Sequence, residues 1–408
     1  MSQGLPVCSG IQLKTTPHKC LHLSVALGKR SLVSHRAFLV RGNKRVCQQA
    51  SPCPAARATA STVCSTAASS KDYRDRKPED VHILVAGATG YIGKYVVKEL
   101  ISRGYQVTAF ARDKSGVGGK SDQNSTQQEL DGASFYFGNV TEQSSVDAAF
   151  SKPYDVVISC LASRTGGKKD SWDIDYQATL NLLNAARQNR AAHFVLLSAI
   201  CVQKPLLEFQ HAKLKFEAAL QAAGDITYSI VRPTAFFKSL AGQVGIVKKG
   251  LPYIMFGDGR SAACKPISEA DLASFMAECV SDRSKIDQVL PIGGPGRAWS
   301  ARDQGEYLFK LLGKQPRLLP VPISIMDGSI AFTDFLVRFF PALEDGAEFS
   351  RIGKYYGTES MLVWDSQKKQ YDADATPSFG KDTLEEFFRK AMLEDGMKGQ
   401  DLGDAAIF

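Results

Sequence analysis

The residues best placed to do chemistry are three glycines, Gly87, Gly90 and Gly93, in the run Gly87-Ala-Thr-Gly-Tyr-Ile-Gly93. The stretch Val81-His-Ile-Leu-Val-Ala86 leads straight into them, and Ile92, Val96, Val97, Leu100 and Ile101 then fall on one helical face. Strand, glycine turn, helix is the order that holds a dinucleotide pyrophosphate. The first glycine allows the tight turn, the second lets the backbone approach the anion, the third lets helix and strand pack, and the helix amino end attracts negative charge. On this reading Gly87, Thr89, Gly90, Tyr91, Ile92 and Gly93 bind the cofactor. The competing phosphate loop, G-x-x-x-x-G-K-[ST], fails: Ile92 stands where its second glycine must be and Tyr95 where its hydroxyl must be.

The next strand, Val107 to Ala111, ends at Arg112, with Lys114 beyond it. An acidic residue at that place binds the ribose hydroxyls of NAD, whereas arginine accommodates the 2′-phosphate of NADP. The sequence therefore predicts NADPH, with Asp113 as the residue that argues otherwise. Asn139 and Val140, at the exit of the third strand, suit the adenine edge. Cys160, Leu161 and Ala162, after Ser159 at the end of the fourth, suit the pyrophosphate and ribose.

Those positions require a particular scaffold. A polar loop is expected over Asp113 to Gln128, then a short strand from Ser134, a helix over Thr141 to Phe150, and a buried strand Tyr154 to Ser159. A helix over Asp173 to Arg190, a strand His193 to Ser198, a helix around Leu206 to Ala223 and a strand Ile226 to Val231 continue the alternation. The spacing predicts an α/β fold, a doubly wound parallel Rossmann sheet, with ligands at the carboxyl ends of its strands. Beyond Arg232 the pattern loosens into Gly-, Pro- and aromatic-rich sequence, followed by a helix Ser268 to Val280, a strand Gln288 to Ile292 and a helix from Ala301 to Leu312. The expected organisation is a leader over 1–70, a cofactor-binding domain over 78–232, a smaller C-terminal substrate-binding lobe over 233–399 with returning sheet elements, and a tail over 400–408.

Ser198 closes the fifth strand, and eleven residues on comes Phe209-Gln-His-Ala-Lys213. This resembles the short-chain dehydrogenase/reductase superfamily, whose active site uses Ser and then Tyr-x-x-x-Lys. Phe209 stands in the tyrosine's place, while Lys213 and Glu217 keep theirs. The resemblance implies that Lys213 and Ser198 are the catalytic pair, that Lys213 holds the nicotinamide ribose, and that Pro233 and Thr234 line the nicotinamide. A phenol is needed when hydride transfer leaves an alkoxide. Phe209 disfavours carbonyl reduction but suits a carbon–carbon double bond conjugated to an electron sink.

Longer stretches narrow the resemblance: Ser159-Cys-Leu-Ala-Ser-Arg164, Lys169-Asp-Ser-Trp172, Leu196 to Gln210, Ile230 to Ser239, and Cys264-Lys-Pro-Ile-Ser268. They are similar to the plant and algal family of divinyl chlorophyllide a 8-vinyl-reductases, atypical NmrA-like short-chain reductases of plastids, from about Pro78 through Gly399. The resemblance implies NADPH-dependent reduction of the 8-vinyl group of divinyl chlorophyllide a to ethyl in chlorophyll biosynthesis. Hydride adds to the vinyl terminus, charge spreads into the macrocycle, and a proton reaches the adjacent carbon from Tyr176, His211 or water. Phe236, Phe237, Tyr253, Met255 and Phe256 either line the pigment pocket or form core between the lobes. Lys238, Lys265 and Arg232 are either contacts for the pigment carboxylate or ordinary ion-pair partners. The pigment brings its own magnesium, so no protein metal site is expected.

Composition agrees with this compartment. Residues 1–70 hold nine Lys or Arg, fifteen Ser or Thr, and no Asp or Glu. With nine of the 50 basic residues there, 41 remain against 42 acidic, so the rest of the chain has a net charge of about −1. A Ser-rich, acid-free leader without a continuous apolar core reads as an organelle transit peptide, here chloroplastic, and a near-neutral body speaks against nucleic acid. Five cysteines (Cys8, Cys20, Cys47, Cys53, Cys64) lie in the leader. Cys160, Cys201, Cys264 and Cys279 are too scattered for a zinc site or disulfide framework. No apolar run is long enough to span a bilayer. Ile323 to Phe340, interrupted by Asp327, Asp334 and Arg338, reads as a core or lid helix, or as a patch for a large apolar ligand or peripheral contact with a thylakoid or envelope membrane. The sequence sets no oligomeric state. Two rival functions stay open, another plastid NADPH-dependent reductase and a non-catalytic NADP-sensing or RNA-binding scaffold.

Overall fold

The computed structural model describes residues 72–114, 122–340 and 343–393. The expected transit peptide with its five cysteines, and the tail, lie outside these residues. The chain runs β1 (His82–Ala86), α1 (Gly93–Ser102), β2 (Gln106–Ala111), α2 (Gln123–Glu129), β3 (Ser134–Phe137), α3 (Gln143–Ala149), β4 (Val156–Ser159), α4 (Lys168–Asp170), a π-helical segment (Ser171–Ala178), α5 (Thr179–Gln188), β5 (His193–Leu197), α6 (Glu208–Gln221) and β6 (Thr227–Pro233). There follow α7 (Phe237–Leu240), α8 (Val244–Lys248), β7 (Tyr253–Phe256), β8 (Ala263–Cys264), α9 (Glu269–Ser281), β9 (Gln288–Ile292), β10 (Trp299–Ser300), α10 (Ala301–Leu311) and β11 (Leu318–Val321). The described chain closes with α11 (Ile323–Val337), α12 (Glu344–Thr358), β12 (Val363–Asp365), β13 (Gln370–Asp372) and α13 (Leu384–Met392).

Seven strands form one parallel sheet in the order β3-β2-β1-β4-β5-β6-β9. The reversal of winding between β1 and β4 opens the crevice where such sheets bind ligands. Alternate side chains explain why the strands read as continuous apolar runs. Ile83, Val85, Val156 and Ile158 pack beneath α1 and α9, whereas Leu84, Ala86, Val157 and Phe194 pack beneath α3, α5 and α6. From the C-terminal segment, β9 extends this sheet and α9 covers it. Elements α7, α8, β7, β10, α10, β11 and α13 pack around a separate core of Phe237, Tyr253, Met255, Trp299, Phe309 and Phe388.

Three expectations need correction. The loop Asp113 to Gln128 contains α2, whose start is capped by Asp122 accepting from the Ser125 N–H at 2.8 Å. Its residues are polar all round, so no apolar period announced it. The helix over Asp173 to Arg190 is regular only from Thr179; residues 171–178 form the wider π-helical turn. The Thr179 hydroxyl donates to the Ile174 carbonyl five residues back, at 3.0 Å. Finally, Ile323 to Phe340 is helical but not core, for α11 has no buried residue.

Candidate active site

The glycine turn is built by close contact. Gly87 has φ +74°, and a Cβ there would lie 2.7 Å from the Cys160 carbonyl; at Gly93 a Cβ would lie 2.0 Å from the Gly87 carbonyl. Neither position can carry a side chain, so β1, the β4 exit and α1 meet at van der Waals distance. Gly90 is exposed, and no side chain caps the start of α1. The Lys94 and Tyr95 N–H groups donate to the Gly90 and Ile92 carbonyls at 3.2 and 3.0 Å, but no side chain competes for the amino end of the helix, and the residues present fit a dinucleotide phosphate. Thr89 and Tyr91 are partly buried and Ile92 is buried. The Tyr91 ring carries the Lys238 ammonium 4.4 Å from its centroid.

Arg112 emerges directly from β2 on the surface. Burial of its side chain, then the neighbouring charge of Arg164, push its guanidinium below the usual range, while Asp170 opposes them. Arg164 lies on the β4 exit loop. Two arginines near one another at this edge suit a phosphate; sequence reasoning quoted Arg164 in a motif without giving it that role. Asn139 uses its side chain locally: Oδ1 accepts from the Thr141 N–H and hydroxyl at 3.1 and 2.9 Å, and its amide donates to Glu142 at 2.9 Å. Val140 is buried in the sheet core. Cys160 is buried, Leu161 partly buried and Ala162 exposed. Pro233 ends β6, and the Thr234 hydroxyl donates to the Lys265 carbonyl at 2.5 Å.

Lys213 lies on the inward face of α6, its side chain 10% exposed, with its ammonium 2.9 Å from a carboxylate oxygen of the fully buried Asp175. Asp175 also accepts from the Ser163 N–H, at 3.3 Å to each oxygen. The Lys213 charge acts on Cys160 and Cys201, yet burial wins at both thiols, pushing them up to about 12 and about 11. Neither is a ready thiolate. Ser198 is tied down differently. Its hydroxyl donates to Glu217 at 2.5 Å, and Glu217 is also gripped by both Nε and Nη2 of Arg232. Ser198 therefore points its hydrogen into a buried ion pair. Asp175 is the group that sequence reasoning missed, because a π-helical turn shifts which residues face inward.

Phe209 is buried in an apolar cluster with Cys201, Leu207, Cys264, Ile352, Tyr355 and Met361. Cys264, Ile352, Tyr355 and Met361 of this wall come from the C-terminal segment. On α12, Glu348 accepts from the Glu208 N–H at 2.9 Å, and the Tyr355 hydroxyl donates to the Cys201 carbonyl at 3.0 Å. Of the five residues offered for a pigment pocket, Phe237, Tyr253 and Met255 fill the smaller lobe's own core instead, while Phe236 packs near Tyr91 and Phe256 beside Gly357. Arg232 is committed to Glu217, and the Lys265 ammonium donates to the Thr376 carbonyl at 3.1 Å. His211 is exposed on α6, and Tyr176 sits beneath the Lys215 ammonium, 4.4 Å from the ring centroid.

A family model described as NAD(P)H-binding matches residues 87–283. The chain is 59% identical over 343 residues to the chloroplastic divinyl chlorophyllide a 8-vinyl-reductase of Cucumis sativus, covering 82% of each chain. It is 56% identical over 348 residues to the protein of the same name from Arabidopsis thaliana, covering 83% of each. Among solved structures, an NADPH-dependent quinone oxidoreductase of Escherichia coli in complex with NADPH superposes with a TM-score of 0.55 at 18% identity, over 75% of this chain and 98% of that one. That likeness is one of fold.

Proposed function

Since the chain belongs to the divinyl chlorophyllide a 8-vinyl-reductase family, we propose that it reduces the 8-vinyl group of divinyl chlorophyllide a to ethyl in the chloroplast, using a nicotinamide cofactor. The observation that carries this reading is the match to reductases of that name over more than four-fifths of both chains. The bound cofactor supplies the hydride. The protein supplies orientation and exclusion of water.

We infer that the cofactor is NADPH, its 2′-phosphate meeting Arg112 and its pyrophosphate meeting the glycine turn and the uncapped start of α1. Lys213 holds the nicotinamide ribose from α6. Phe209 offers a greasy ring and no phenol in the tyrosine's place, and the nearby Tyr355 hydroxyl is spent on the Cys201 carbonyl, which suits a reaction that leaves charge on a macrocycle instead of on an alkoxide oxygen. Ser198 acts as an anchor for Glu217. With purified protein, NADPH and divinyl chlorophyllide a, the Soret band should shift to the blue as NADPH is consumed in equal amount. Cofactor binding without that shift would reject the pigment as substrate.

The pigment is amphipathic, and α11 supports a reading in which the protein meets it at a membrane surface. Asp327 and Asp334 turn toward α12, where Lys354 and Arg351 pair with them. Ile325, Phe332, Phe335 and Phe339 face the other way, each more than half exposed. Among the described residues no helix is long and apolar enough to cross a membrane. We read the outer face of α11 as a surface that rests on a bilayer.

A further inference from the structure

We propose that Asp175 is a positioning residue for cofactor binding, acting through Lys213; the inference rests on the assignment of Lys213 to the nicotinamide ribose. Three observations carry it. The Asp175 side chain has no exposure to solvent, and its carboxylate lies 2.9 Å from the Lys213 ammonium. The same carboxylate accepts from the Ser163 N–H on the β4 exit loop. It projects from the π-helical segment Ser171–Ala178, a local geometry that costs hydrogen-bond quality and tends to persist where a side chain must be aimed.

The arrangement ties three separate segments into one unit: the π-helical turn, the loop that leaves β4, and α6. A lysine has a long stem with several rotors, and an unpaired ammonium held at 10% exposure would swing out to water. Asp175 removes that escape. The Lys213 charge is felt at Cys160, whose carbonyl packs against Gly87, so the pair lies close behind the glycine turn. An ammonium has three hydrogens. It can stay ion-paired with Asp175 and still donate to ribose hydroxyls.

The test is a double-mutant cycle read by NADPH affinity, measured by fluorescence titration of the folded protein well below its melting temperature, with Asp175→Asn, Lys213→Met and both together. Asp175→Asn keeps size and can still accept from Ser163. The double variant removes both charges, so it folds even where a lone buried charge would not. Asp175→Asn should weaken NADPH about tenfold, and the double variant should bind within about twofold of Lys213→Met, because the two residues act in series. Losses that multiply in the double variant overturn the inference. So does weakened binding in Lys213→Met with unaltered binding in Asp175→Asn, which would leave the role of Lys213 standing. Unaltered binding in both overturns the inference and the assignment of Lys213 together. None of these outcomes depends on which pigment is reduced.

Discussion

Arg112 and Glu217 show two different uses of charge. Arg112 lies at the surface, where the like charge of Arg164 outweighs the opposite charge of Asp170, a placement that favours an arriving anion. Arg112→Glu should therefore weaken NADPH by roughly ten- to a hundredfold, about the worth of one or two charge-assisted hydrogen bonds, with little change for NADH. Titration of each cofactor against the variant checks this; equal effects on both would remove Arg112 from the 2′-phosphate site. Glu217 does the opposite work, holding Ser198 and Arg232 together at the ends of β5 and β6. Its removal leaves a largely buried guanidinium without an opposite charge, so Glu217→Ala should cost about 3 kcal/mol of stability. The midpoint of denaturant unfolding measures it. A loss well under 1 kcal/mol would mean that Arg232 finds water or another partner.

At the scale of elements, α11 is the most unusual part of the chain. An amphipathic helix normally turns its apolar stripe inward; here the carboxylates face α12 and the phenylalanines face out. Phe332 is 63% and Phe339 is 65% exposed. Replacing Phe332 and Phe335 together by Ser should abolish flotation with liposomes while leaving the melting temperature nearly unchanged, because both rings are more than half exposed and α11 adds no residue to the core. Undiminished flotation would reject α11 as a membrane-binding face. The same elements show what could be read in advance. The parallel strands and α1, α6, α9 and α10 were legible because burial on two sides, or a clean helical period, leaves its mark residue by residue. The glycine turn was legible because Gly87 and Gly93 have no room for a Cβ. By contrast, α2 has no apolar face to betray it. The π-helical turn uses ordinary residues in an uncommon register, so Asp175 stayed hidden. The direction of the apolar face of α11 was invisible because it depends on two ion pairs with a helix that follows it in sequence.

Across the whole molecule, the amino ends of the central strands carry a buried polar cluster of their own. The proposed cofactor site lies at the carboxyl ends of the strands, whereas His193 begins β5 at the other end. It is fully buried, with its ring nitrogens 2.8 Å from the Thr227 hydroxyl and 3.0 Å from that of Ser229. Ser229 in turn donates to the Lys285 carbonyl at 2.7 Å, so this one ring links β5 and β6 to the segment leading into β9. Burial, with a smaller contribution from Arg74, lowers the imidazole from 6.5 to about 3. The sign then follows. Between pH 6.5 and 3 the unfolded chain takes up a proton that the folded chain refuses, so stability contributed by the neutral ring is complete above pH 6.5 and is lost as pH falls toward 3. At pH 4.5 the loss should be about 2–3 kcal/mol. Urea unfolding at pH 7 and pH 4.5 should show this increment in the native protein and a fall smaller by that amount in His193→Gln. An equal fall in both would assign the acid sensitivity to the carboxylate ion pairs instead. NADPH affinity of the molecules that stay folded should be the same in His193→Gln as in the native protein at pH 7, since no polar contact of the ring reaches the glycine turn.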